Sequence, residues 1–202
     1  MIEGDKQVIK EFDKAVSDLE KAAGLITGKD DQVEPDGIPN ARNTPVSTTN
    51  RNIWYHLGLA YYLVDDMENA LIGFNNCKEI SDNPDMFVAS SHWVYMILKR
   101  MGKDDEALKI LTPVTADMDV FENMSYHNLL LFYKGEITEE ELIGEAGEMS
   151  TANNAVVYGL GNWYYYNNDI EKSLEIFTSL VDKGIWAAFG TIAAEADLKR
   201  ME

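Results

Sequence analysis

Apolar residues recur along this chain at intervals of three and four, the spacing that gathers side chains onto one face of an α-helix. In RNIWYHLGLAYYLVDDMENALIGFNNC, residues 51–77, Trp54, Leu57, Gly58 and Tyr61 stand three, one and three positions apart. Asp65 and Asp66 interrupt the pattern. Asp65 followed by Glu68 is spaced as a capping box, which predicts a second helix presenting Met67, Ala70, Leu71, Phe74 and Cys77 to the first. Gly58 and Ala70 are small where two backbones must approach closely. The unit then repeats imperfectly. Residues 86–114 carry Val94, Tyr95 and Leu98, then Gly102, then Ala107 and Leu111. Residues 120–148 hold a degenerate copy with Thr138 and Glu141 as its capping box. Residues 153–183 restore the pattern with Leu160, Gly161 and Tyr164, Asn168 and Glu171 as the cap, and Ser173 and Phe177 in the Ala and Phe places. Ala70 and Ala107 are 37 residues apart and Ala107 and Ser173 are 66 apart, two periods of 33, which confirms the weak unit between them.

The set Trp54, Leu57, Gly58, Tyr61, Ala70 and Phe74 resembles the tetratricopeptide repeat, matching its W-x2-L-G-x2-Y and A-x3-F pattern residue for residue. Cys77 departs from the usual alanine, and Pro84 falls slightly late for the usual closing proline. The resemblance implies a single all-α domain over residues 1–202, a right-handed α-α superhelix. About ten helices are expected, in four to five repeats with a capping helix over 185–202. Residues 5–26 carry a stripe of Val8, Phe12, Ala15, Leu19, Ala22 and Ile26 and read as the second helix of a repeat whose partner falls before residue 1. One side of that stripe lacks a partner, so a homodimer through residues 5–26 is expected unless an upstream segment covers it. At the other end, Trp186, Phe189, Gly190 and Ala193 repeat the three, one, three spacing, and Asp197, Lys199, Arg200 and Glu202 supply a polar face to end the stack.

Residues 28–50, GKDDQVEPDGIPNARNTPVSTTN, hold three of the five prolines and no helical period, and form a long inserted loop. Two readings stand: a functional loop, or one that only packs across a neighbouring helix pair. Asp30, Asp31, Glu34 and Asp36 lack calcium-loop spacing, because no glutamate follows Gly37 at the required distance.

Composition narrows the function. The net charge of −18, with no basic patch among 17 Lys and Arg residues, argues against nucleic acid and leaves a basic peptide or protein open. The acidity equally fits a solvated outer surface. The single cysteine cannot form an internal disulfide and reads as a small buried hydrophobe. With no run of 18 apolar residues, no membrane span is expected, and the chain reads as soluble, cytoplasmic unless an export signal precedes Met1. His56, His92 and His127 lie 36 and 35 residues apart on successive first helices. Stacked helices are about 8–10 Å apart, so the three cannot share one ion, and packing or groove walls are the expected role. No metal site and no cofactor is expected. No nucleophile constellation or phosphate-cradling glycine motif is present, so no catalytic residue is assigned. A hydrolase using a histidine with Asp30 or Asp36 remains the enzymatic alternative.

In tetratricopeptide proteins the outward face of each first helix lines a concave groove for extended peptides. The resemblance carries that role onto Tyr55, Leu59 and Tyr62; His92, Met96, Lys99 and Arg100; Ser125, Leu129, Phe132 and Tyr133; and Tyr158, Asn162, Tyr165 and Tyr166. It implies a non-enzymatic scaffold with a tyrosine-rich, peptide-binding groove and one basic spot. Tyr55 and Leu59 stand where the lysine and asparagine clamp for acidic chaperone tails would be, so that role is not expected. The alternatives are that these tyrosines pack internally, or that the groove of a structural subunit is filled by its own loop or another copy.

Overall fold

Ten helices account for most of residues 3–33, 40, 42–146, 151–183 and 185–201, the residues described by the structure, a computed structural model. They are α1 (Glu3–Ile26), α2 (Thr49–Leu63), α3 (Met67–Glu79), α4 (Pro84–Arg100), α5 (Asp104–Leu111), α6 (Met124–Lys134), α7 (Glu139–Ala146), α8 (Thr151–Tyr166), α9 (Ile170–Asp182) and α10 (Phe189–Met201). Among the described residues the only extended pairing is an isolated bridge between Val33 and Thr48. The all-α expectation and the helix number hold. Glu34, Asp36, Gly37 and Glu202, and the side chain of Val8, lie outside the described residues.

The turn inside each helix pair is one structure made four times. Helices α2, α4, α6 and α8 each run into a left-handed residue: Asp65 (φ 66°), Gly102 (70°), Gly135 (76°) and Asn168 (67°). The next N–H then donates to the carbonyl five residues back, on Tyr61, Leu98, Leu131 and Tyr164, at 2.9–3.0 Å, the long bond of a Schellman motif. Glycine, aspartate and asparagine are the residues that tolerate this conformation. The four positions are 37, 33 and 33 residues apart, so the period in the apolar pattern is also a period in backbone conformation. This use of Asp65 and Asn168 moves two caps one residue past the predicted places. Asp66 accepts from the Asn69 N–H at 3.1 Å, and Asp169 from the Lys172 N–H at 3.1 Å. Thr138 and Glu141 form the predicted reciprocal box: the Glu141 N–H donates to the Thr138 hydroxyl at 3.2 Å and the Thr138 N–H to the Glu141 carboxylate at 2.7 Å. Pro84 opens α4 behind an Asn83 cap, a place where its missing N–H costs nothing.

Packing follows the same period. Ala70, Ala107, Leu142 and Ser173, each four residues after a cap, are all buried. Gly58 meets Gly73 where α2 crosses α3; the latter glycine was not singled out by the sequence pattern. A β-carbon on Gly73 would stand 2.9 Å from the backbone nitrogen of Gly58. Each helix packs on the next in the chain, and α4, α6, α8 and α10 also pack on one another, the contact order of a helical solenoid. α4 additionally touches α8 directly, past α6. It is buried all round, with 13 of its 17 residues inside, so it acts as the central rod. α1 packs chiefly on α2, leaving Phe12, Leu19 and Ile26 half-buried and Leu25 66% exposed.

Replacing Gly73 by alanine should cost about 1–3 kcal/mol, because backbone cannot yield as a side chain does, and a helix-propensity gain of about 1 kcal/mol offsets this only in part. Gly24, in α1 with nothing within 4 Å of an added β-carbon, should instead gain about 0.5–1 kcal/mol on the same change. Urea unfolding of the two variants checks the contrast; similar effects at both sites would mean that α2 and α3 do not cross on their glycines.

Candidate functional site

Arg100 sits at the last turn of the central helix, with its side chain 8% exposed. Its guanidinium pairs with both oxygens of Asp197 on α10, at 3.0 and 2.5 Å, and its Nε donates to Asn162 Oδ1 on α8 at 2.6 Å. The rings of Tyr62 and Tyr165 flank it at 5.1 and 5.0 Å. Asp197, 2% exposed, also accepts from the Tyr158 hydroxyl at 2.8 Å and from Arg200 at 2.7 Å. Tyr158 in turn lies 2.7 Å from the Tyr62 hydroxyl. Five of the residues assigned to the groove, Tyr62, Arg100, Tyr158, Asn162 and Tyr165, are therefore one network drawn from α2, α4 and α8. Burial and the Asp197 charge push the Tyr62 phenol up to about 12 despite Arg100, and hold Tyr158 well above its ordinary value. Burial alone would lower the Arg100 pKa, but Tyr62, Tyr158 and Asp197 outweigh it.

The other assigned residues form a second cluster. Tyr133 stacks on Tyr95 with ring centroids 4.5 Å apart and lies parallel to His92 at 5.9 Å, while Lys99 pairs with Asp104 and lies 5.4 Å over the Tyr166 ring. Tyr55 accepts from the Trp93 indole at 2.9 Å and lies 3.3 Å from the Tyr126 hydroxyl. Most of the assigned face is thus interior rather than an open groove. What fills it, among the described residues, is α10 and the convergence of α2, α4 and α8.

Asp197 and Arg200 were read as parts of a polar end face, and the structure corrects this: Asp197 turns inward and Arg200 donates to the carbonyls of Tyr62 and Leu63. The signal was present, since Phe189, Ala193 and Asp197 are spaced by four and an acid stands on the apolar stripe.

A cleft of about 330 Å³ lies among α4, α6, α8 and α10. Its walls come from α4 (His92, Trp93), the start of α6 (Glu122, Asn123, Ser125, Tyr126), α8 (Ala155, Tyr158) and the start of α10 (Ala187 to Gly190). Trp186, 81% exposed, stands next to that last segment in the chain. The α6 wall is set by Asp85, fully buried near the start of α4, whose Oδ1 receives the N–H groups of Phe121, Glu122 and Asn123 at 3.2, 2.7 and 2.8 Å. Of these walls the sequence reading assigns His92, Ser125 and Tyr158 to the groove, but not Trp93, Glu122, Asn123, Tyr126 or Ala155, because the walls come from several helices and turns without a shared period.

The described parts of the loop lie along the same edge. Asp31 accepts from Thr48 and from the Asn50 N–H at the start of α2. Arg42 pairs with Asp119 at 2.6 and 2.7 Å and lies 4.2 Å over Phe121, and Asn40 donates to Glu122 at 3.0 Å. No group of metal-ligating side chains gathers among the described residues. His56 is exposed with Nδ1 2.7 Å from the Asn52 carbonyl, His127 meets the Thr115 carbonyl at 2.9 Å, and Asp30 is exposed. No described helix is long and apolar enough to cross a membrane.

His92 gives a pH signature. Burial lowers its pKa from 6.5 to about 3, so the neutral ring is favoured when folded. That stability is complete above pH 6.5 and falls as pH drops toward 3, by up to about 1.4 kcal/mol per pH unit. Unfolding midpoints of the wild type should therefore decline faster between pH 6.5 and 4 than those of His92→Phe. Parallel declines would mean that the folded ring takes up its proton as readily as the unfolded one.

No protein-family model matches the chain, and neither a curated protein nor a solved structure is detectably similar to it.

Proposed function

We propose that this chain is a non-enzymatic scaffold of the tetratricopeptide type, a right-handed superhelix that binds a protein or peptide segment. Its binding surface is the cleft between α4, α6, α8 and α10 rather than a groove along the whole inner face. The observation that carries this reading is the position of the cleft: it lies among α4, α6, α8 and α10, on the helices where the repeat resemblance places ligands, while Tyr62, Tyr158 and Asn162 of the same assigned face are buried. Aromatic walls with a few polar groups at the mouth are the composition of a recognition pocket. Among the described residues the histidines and Asp30 offer no convergent base and orienting group to support the hydrolase alternative, and Asp36 lies outside them.

A self-associating subunit is the second reading, favoured by α1, whose apolar stripe packs on α2 and beside which Leu25 is exposed. In that reading residues 5–26 meet a second copy, and α10 packs against the inner face.

Filling the cleft tests the first reading. Ser125→Trp places an indole in it, and Leu108→Asp changes an exposed outer position as a control. Protein captured from extract of the native host should be retained by the wild type and Leu108→Asp and lost by Ser125→Trp, with Tm unchanged in all three. Equal capture by Ser125→Trp, or none by the wild type, overturns the proposal.

A further inference from the structure

Resting on the reading of the cleft as the binding site, we infer that its occupant is a cationic side chain on an aliphatic stem, the lysine or arginine of a bound peptide. Among the described lining residues Glu122 is the one formally charged side chain, with no lysine or arginine to oppose it. A second carboxylate lies directly behind the same wall. Asp85 is fully buried, its Oδ1 holds the backbone of Glu122 and Asn123, and its Oδ2 has no hydrogen-bond partner. Arg42, the cation that feels Asp85, is committed to both oxygens of Asp119 and to the face of Phe121. His92 adds no positive charge, because burial keeps its ring neutral. The starts of α6 and α10 contribute only about half a unit of positive charge each, against two carboxylates.

The rest of the lining suits the stem. Tyr126, Phe189, Ala155 and Ala188 offer apolar surface for three or four methylenes while the charged head stays near Glu122 at the mouth. Ring faces also attract cations, and the fold already places Arg42, Lys99 and Arg100 over aromatic rings elsewhere. The net charge of −18 draws such a ligand in from solution and repels an acidic one.

The experiment is an NMR titration of the full chain with three short peptides, N-acetyl-Ala-Ala-Xaa-Ala-Ala-amide, in which Xaa is lysine, norleucine or glutamate. The lysine peptide should shift the backbone amides of Asn123, Ser125 and Ala188, bind about tenfold more tightly than the norleucine peptide, and weaken with added salt. Glu122→Gln should weaken the lysine peptide several-fold and leave the norleucine peptide unchanged. Equal affinity for lysine and norleucine, with the same amides shifting, overturns the cationic ligand and leaves the cleft standing as the site. Shifts from the glutamate peptide alone reverse the charge assignment and overturn the inference, and no cleft shift with any peptide removes both the inference and the reading it rests on.

Discussion

A guanidinium and a carboxylate taken out of water remain charged only if each is answered at close range by the other and by further polar groups. Arg100 and Asp197 meet that condition with two mutual contacts, the Asn162 amide oxygen, the Tyr158 hydroxyl and Arg200. The pair joins the central helix to the last helix. On the same last helix Arg200 donates to the final carbonyls of α2, so α10 is tied to α2 as well as to α4. A cation at that helix terminus is favoured by the helix dipole as well as by the hydrogen bonds. α4 can be buried on every side because the helices around it are drawn in by this link.

The fold was legible because its signals are local and periodic. Trp54, Leu57, Gly58 and Tyr61 with Ala70 and Phe74 describe one pair of packed helices, and the Thr138 and Glu141 box shows where the second helix of the degenerate unit begins. The caps at Asp66 and Asp169 were displaced by one residue because the same short polar pair must first end one helix and then start the next. Gly73 escaped notice because it lies between Ala70 and Phe74, the two positions that the pattern uses.

The site was legible only in part. Helical spacing identifies which residues face the inner row, but not how tightly the row closes, and the closure depends on one side-chain pair 97 residues apart in the chain. Tyr62, Tyr158 and Asn162 were therefore placed on the correct face and in the wrong environment, buried rather than open. The cleft that remains is held open by Asp85, which spends one carboxylate oxygen on three backbone N–H groups of the turn before α6. The loop residues Asn40 and Arg42 brace the same turn from outside. A structural carboxylate thus shapes the wall and charges it at once.

The claim that one ion pair closes the inner face is tested most directly by a double-mutant cycle at Arg100 and Asp197, read by urea unfolding. Asp197→Leu should cost about 3–5 kcal/mol, because it strands the buried Arg100, and Arg100→Met should cost less, because Asp197 keeps Arg200 and the Tyr158 hydroxyl. The double variant, which strands none, should cost far less than their sum, a coupling of at least about 2 kcal/mol. Additive losses, with no coupling between the two positions, would contradict the account.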